Sequence, residues 1–356
     1  MLEFETSENG RRSAGAVCAW LEQLDAERQE RFLDVQRRPC SIAVVFTYWT
    51  IADDDHAFFG PLVRGIRARA ATAGSDLILC APSGDHWLEE NAVERVVARR
   101  SDGLLVLGGA DGNPAVLAAR SHGLPTVFVE FDSLGSRSAN VGIDNEQAFS
   151  EVVTHLALLG RTRIATITGP LDMRVAAERL AAYRSSLRRF GYEVRPEYIE
   201  VGDFLQQSGY DATRRLLAGD EPPDAIAAAS DTQAAGAIRA IEEAGLRCPD
   251  DIAVTGFDDA SWAPLMSPAL TTVRQPAAEM GAAAVDTVLA MIDDPSLEPP
   301  RVQLQGRLIV RESCGAHLRP PSRREPVPPP YELRVRAEPA STASSRSALS
   351  GSPTGE

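Results

Sequence analysis

Seven short, nearly unbroken apolar runs, spaced by longer stretches of helical periodicity, constrain this chain more than any other feature. They are IAVVF (42–46), LILC (77–80), GLLVL (103–107), TVFVE (126–130), RIATIT (163–168), AIAAA (225–229) and IAVTGF (252–257). A strand that is apolar on both faces must be covered on both faces, which is the condition of parallel sheet with crossover helices above and below. Helical periods near 58–73, 87–100, 113–122, 145–159, 173–190, 206–217 and 232–244 supply those crossovers. The series is too long for one sheet of five or six strands. It predicts two doubly wound sheets, dividing near Leu159-Gly160. Ligands in such folds sit beyond the carboxyl ends of the strands, so two facing sheets place the natural site in the cleft between them.

The flanks read differently. Residues 1–40 carry eight acids and six arginines, and Ala14 to Val35 can form one amphipathic helix with Val17, Trp20, Leu21, Leu24, Phe32 and Val35 on its apolar side. Residues 317–356 hold eight prolines, six arginines and many serines, the composition of a disordered tail with no packable face. The chain has no lysine, so all 36 fixed cations are arginine, against 50 acids. A net charge of −14 repels phosphate backbones, and nucleic-acid binding would need a local basic module. No apolar run is long enough for a membrane span, and acids stand where a signal peptide needs bases. Five cysteines, odd in number and scattered, read as reduced thiols of a cytoplasmic protein.

The chemistry of common enzymes is missing. Without lysine there can be no phosphate-binding G-x-x-x-x-G-K-[ST] loop, and GLLVLGGADG (103–112) lacks the register of a dinucleotide fingerprint. No G-x-S-x-G elbow occurs, and the five histidines keep no H-x-x-x-H or C-x-x-C company, so no metal and no cofactor are expected. Asp53-Asp54-Asp55-His56 reads as an exposed loop at the cleft mouth, and His86 to Glu89 as a solvated helix start. Nothing here assembles a nucleophile or an acid–base pair. The reading is a binding protein and not an enzyme.

Five ordered stretches carry a resemblance: VGIDNEQAFSEVVTHLALLGRTRIATITGP (141–170), AAERLAAYRSSLRRFGY (176–192), SDTQAAGAIRAIEEAGLRCPDDIAVTGFDD (230–259), SPALTTVRQPAAEMG (267–281) and LIVRESC (308–314). Together they resemble the effector-binding core of the LacI/GalR family of bacterial transcription regulators, over roughly residues 41–316. That resemblance implies a periplasmic-binding-protein-like fold, two α/β subdomains joined by three crossovers near Leu159–Arg163, Thr272–Pro276 and Gln303–Leu308. It divides the chain into an N-terminal segment (1–40), a first subdomain (41–161 plus 275–304), a second (162–274 plus 305–316) and a tail (317–356). It also returns the helix from Ala277 to about Met291 to the first subdomain.

The resemblance further implies site residues. Asp258, in GFDD, matches the family aspartate at a strand's carboxyl end that accepts from ligand hydroxyls or amines; a helix cap is the alternative. Arg179, in AAERLAAY, matches the arginine that reaches into the cleft, against a surface ion pair with Glu178 or Asp172. Asp231 and Asp144 match cleft-edge positions, or cap the helices that follow them. Phe58 and Phe59 stand where an aromatic wall opens the first helix, which implies one of the two for the pocket and the other for the core. Met173 and Arg174 stand where some relatives place a ligand arginine, and Trp262 lines the cleft or packs on a neighbouring subdomain. Ala227 replaces a bulky aromatic of some relatives, implying a roomier pocket on that side. The implied partners are a small sugar-like effector, a second copy of the chain meeting along helices 58–73 and 87–100, and operator DNA. Residues 1–40 show no recognisable complete helix-turn-helix, which leaves a stand-alone cytoplasmic sensor acting through a protein partner as the alternative.

Overall fold

The structure is a computed structural model that describes residues 40–46, 57–80, 101–108, 117, 123–131 and 137–318. The expected N-terminal helix, the helix at 87–100, all but residue 117 of the helix at 113–122, the loop at 53–56 and nearly all of the tail lie outside the described residues.

Six parallel strands form the first sheet, in the order β11-β5-β4-β3-β1-β2. They are β1 (Ser41–Phe46), β2 (Asp76–Cys80), β3 (Gly103–Leu107), β4 (Thr126–Val129), β5 (Ser138–Ile143) and β11 (Arg301–Leu304). The central strands β3 and β4 are buried at every position, and their side chains alternate between two cores. Ala43, Val45, Leu104, Val106 and Phe128 face one side. Ile42, Val44, Leu105, Leu107, Val127 and Val129 face the other, where α1 (Phe59–Thr72) and α6 (Ala277–Asp293) cover them. Those two helices cross in backbone contact: a Cβ on Gly65 would stand 2.0 Å from the Ala278 oxygen, and one on Gly281 would stand 2.2 Å from that of Leu62.

The second sheet is smaller and also parallel, β7-β6-β8-β9, with β6 (Ile164–Thr168), β7 (Ile199–Val201), β8 (Ala225–Ala228) and β9 (Ala253–Thr255). Ala165, Ile167, Ile226, Ala228 and Val254 pack toward α4 (Gln206–Leu217) and α5 (Asp231–Glu243). Ile164, Ala225 and Ala227 share a core with Tyr183 of α3 (Arg174–Arg189) and Leu156 of α2 (Asn145–Leu158). Ala227 is therefore a fully buried core residue of β8 and does not line the cleft described below. Gly160 takes a positive φ of 74° just past α2, which ends the helix at the predicted division.

The chain passes between the sheets through three connections. One follows α2 into β6; the others leave β10 (Thr272–Arg274) for α6, and β11 for β12 (Arg307–Ile309). β10 and β12 pair antiparallel as a ribbon of their own. Strands β5, β7 and β10–β12 are absent from the seven apolar runs, and TVFVE ends one residue early because Glu130 turns to φ 59°. Among the described residues, no helix is long and apolar enough to cross a membrane.

Candidate functional site

A cleft of about 540 Å³ opens at the carboxyl ends of both sheets. From the first sheet's side it is lined by Phe58 and Phe59 at the start of α1, Gly108 after β3 and Glu130 after β4. From the second come Met173 just ahead of α3, Val175 and Arg179 in its first turns, Phe204 ahead of α4, Ala229 and Ser230 after β8, and Asp258 after β9. Gln275 enters from the connection between β10 and α6. Its lining is that of a small-molecule site, apolar with a few polar groups turned inward.

Arg179 is the central polar group. It is 5% exposed, and its guanidinium lies 3.7 Å from the Phe257 ring centroid. Nε donates to Asn145 Oδ1 at 2.9 Å and Nη1 to the Ala229 carbonyl at 2.8 Å. A guanidinium has five N–H donors, so three of Arg179's have no acceptor among the described residues. Neither Glu178 nor Asp172 pairs with it: Glu178 is taken by Arg174 at 2.6 Å. Burial pulls the Arg179 guanidinium below its ordinary value, opposed by the charges of Asp258, Glu130 and Glu178.

Asp258 accepts from Gln275 Nε2 at 2.7 Å. Burial pushes its carboxyl up to about 7, against the pull of Arg179 and the Gln275 hydrogen bond. Gln275 commits one amide N–H to Asp258, and its Oε1 is buried without a partner among the described residues. Glu130 is raised by burial too; it accepts from the Ile143 amide at 2.9 Å and Asn145 Nδ2 at 3.2 Å. A chain of hydrogen bonds thus runs from Glu130 through Asn145 and Arg179 to Ala229. It joins the ends of β4 and β8 across the cleft. Around these groups stand rings: Phe58 and Phe59 meet edge to face at 5.2 Å, and Phe204 covers Gly169, where any Cβ would strike its ring.

Of the sequence-predicted residues, the fold brings together Asp258, Arg179, Phe58 and Phe59. It does not bring the other four into this cleft. Asp231 is wholly buried beneath the Asp258 turn, accepting from the Ala260 amide at 2.7 Å and from the Thr272 hydroxyl. Asp144 takes the capping role, accepting from the Gln147 amide at 2.9 Å at the start of α2. Arg174 lines a separate polar hollow of about 340 Å³ beside β5 and β11, and its neighbour Met173 faces the cleft instead. Trp262 packs on the second-sheet core. Sequence reasoning missed Glu130, Phe204, Ser230 and Gln275. Glu130 had a signal, a charge ending an apolar strand; Phe204 lies in a loop at φ 68°, where no periodicity operates. Among the described residues no His, Cys, Asp or Glu cluster could hold a metal ion.

Comparison with known proteins sets this geometry in a family. The family model for a periplasmic binding protein-like domain matches residues 153–314. The chain is similar to the ribose operon repressor of Escherichia coli K12, with 36% identity over 74% of this chain and 80% of that one. It is 30% identical to the repressor CytR of the same strain, over 73% and 76% of the two chains. Among solved structures, a complex of the transcriptional regulator CelR with cellobiose superposes with a TM-score of 0.72 at 28% identity, covering 86% of this chain and 91% of that one. The chain belongs to the LacI family of transcriptional regulators, which are not enzymes.

Proposed function

We propose that this regulator binds one small sugar in the cleft, a pentose being the first choice, and passes its occupancy to operator-DNA binding as a homodimer. The observation that carries the reading is Arg179: a buried guanidinium with three N–H groups that have no acceptor among the described residues, lining one cleft with Asp258, Phe58, Phe59 and Phe204. Sugar oxygens accept from a guanidinium and sugar hydroxyls donate to a carboxylate or an amide oxygen, which matches Arg179, Asp258 and the orphaned Gln275 Oε1. The C–H faces of the ring lie on aromatic walls. One relative is named for ribose and a neighbouring structure holds cellobiose, which supports a carbohydrate of one or two rings. The dimer would form along α1 and the segment 87–100, the latter outside the described residues.

A thermal-shift panel of D-ribose, other pentoses, hexoses, cellobiose and nucleosides tests this. A sugar at a hundred times its Kd adds about 2.7 kcal/mol of stability. A matching shift for a sugar, together with a sugar-dependent change in salt-sensitive binding to genomic fragments, is expected. No shift from any carbohydrate overturns the proposal.

A further inference from the structure

We infer that Asp259 is a positioning residue for the effector: clamped between Arg274 and Arg311, it holds the turn that aims the Asp258 carboxyl into the cleft and ties it to the β10–β12 ribbon. The inference rests on Asp258 being the sugar-gripping group. Asp258 and Asp259 are consecutive non-glycine residues at φ 123° and 58°, conformations that persist only where the surroundings enforce them. The backbone enforces part of this turn: the Gly256 amide donates to Thr271 O at 2.9 Å and the Asp258 amide to Val273 O at 2.8 Å. At Asp259 that support weakens, for its amide reaches only the Thr272 hydroxyl, at 3.3 Å.

The side chain supplies what the amide does not. One Asp259 oxygen accepts from Arg274 Nε and the other from Arg311 Nη2, both at 2.6 Å, with the Asp259 side chain 6% exposed. Arg311 is itself fixed, donating through Nη1 to Leu270 O at 2.7 Å. Two-sided and charge-assisted, with the Asp259 and Arg311 side chains largely withdrawn from solvent and Arg274 more than half exposed, this clamp differs from ion pairs in which both partners are exposed, which hold little. Arg274 is the last residue of β10, and Arg311 lies two residues beyond β12. The two strands through which the chain passes between the sheets therefore meet at the carboxylate next to Asp258. Beyond Arg274 the chain delivers Gln275 to Asp258 and then enters α6.

The test uses the full chain as wild type, Asp259→Asn, Arg311→Gln, Asp258→Asn and the double variant Asp258→Asn/Asp259→Asn. Hydrogen exchange of the peptide spanning 255–261 is read alongside D-ribose calorimetry. Asp259→Asn and Arg311→Gln should each speed exchange of the Asp258 amide and weaken D-ribose about tenfold. In the Asp258→Asn background, Asp259→Asn should weaken D-ribose no further, since it acts through Asp258. Unchanged exchange in the turn, or the same loss of affinity in both backgrounds, overturns the inference. If D-ribose fails to bind wild type, the choice of a pentose fails; if it binds Asp258→Asn as tightly, the cleft proposal fails; the exchange measurement, which needs no sugar, still decides the clamp.

Discussion

Asp258→Asn separates shape from charge at the cleft floor, and the structure fixes the sign of two effects. Asparagine keeps an oxygen for Gln275 Nε2, so the 2.7 Å hydrogen bond survives while the ionisation is lost. In the wild type, burial pushes the carboxyl from an ordinary 3.8 up to about 7. The folded state then holds a proton that the unfolded chain gives up above 3.8. The resulting penalty is absent below about pH 4, grows as pH rises and is complete above about 7. At 1.36 kcal/mol per pH unit the ceiling is about 4 kcal/mol, and the buried Asp231 carboxyl nearby shares in it. At pH 8 the variant should be more stable than wild type by about 2–4 kcal/mol, or roughly 4–12 °C in Tm. At pH 4 the advantage should vanish. The same variant should bind its sugar ten- to a hundredfold more weakly, because a hydrogen bond to a charged group is worth about 1.5–3 kcal/mol. Wild-type affinity should accordingly rise as pH passes upward through about 7. Thermal melts from pH 4 to 8, with calorimetry at both ends, test both effects. A Tm difference between variant and wild type that stays constant across that range refutes the reasoning.

Three further outcomes are expected. Arg179→Ala leaves Asn145 Oδ1 and the Ala229 carbonyl without their donor, so calorimetry should show sugar binding lost by at least about tenfold and melts a loss of about 1–3 kcal/mol. Gly281→Val drives a Cβ to 2.2 Å from the Leu62 oxygen and 2.8 Å from the Ile66 nitrogen, both backbone atoms. The α1–α6 crossing should open at about 1–3 kcal/mol in denaturant melts, and affinity should fall as Phe58 and Phe59 shift. Phe204→Ala removes a wall of the cleft, and sugar affinity should drop by about 0.5–1.5 kcal/mol without a change in pH dependence.

The sequence displayed the parts of this molecule that obey a period. GLLVL and TVFV, buried on both faces, announced parallel strands, and helices such as Gln206–Leu217 lie where their periodicity put them. SANVGI was missed because β5 leaves alternate residues only half-buried near the sheet's edge and draws on serine, asparagine and glycine. The three-residue strands β7, β10 and β12 are too short for any pattern. At the site, Arg179 and Asp258 could be named through the family resemblance, and the fold sets both on the same cleft. What remained hidden depends on the third dimension. Asp231 and Asp258 lie 27 positions apart in similar acid-bearing turns, yet one is sealed under the other because Gly256 admits the Asp231 carboxylate at a spot where a Cβ would stand 2.3 Å from Oδ1. Gln275 reaches the cleft through the connection that follows β10, and Asp259 turns to Arg274 and Arg311, pairings that no local sequence pattern announces.

A crystal structure of the chain soaked with the sugar that gives the largest thermal shift tests the central claim most directly. That sugar should lie between the sheets, its ring against Phe58, Phe59 or Phe204, with oxygens within hydrogen-bond distance of Asp258 and of the Arg179 N–H groups that lack acceptors among the described residues. A sugar bound elsewhere, or one in the cleft that leaves the Arg179 guanidinium and the Asp258 carboxyl untouched, contradicts it.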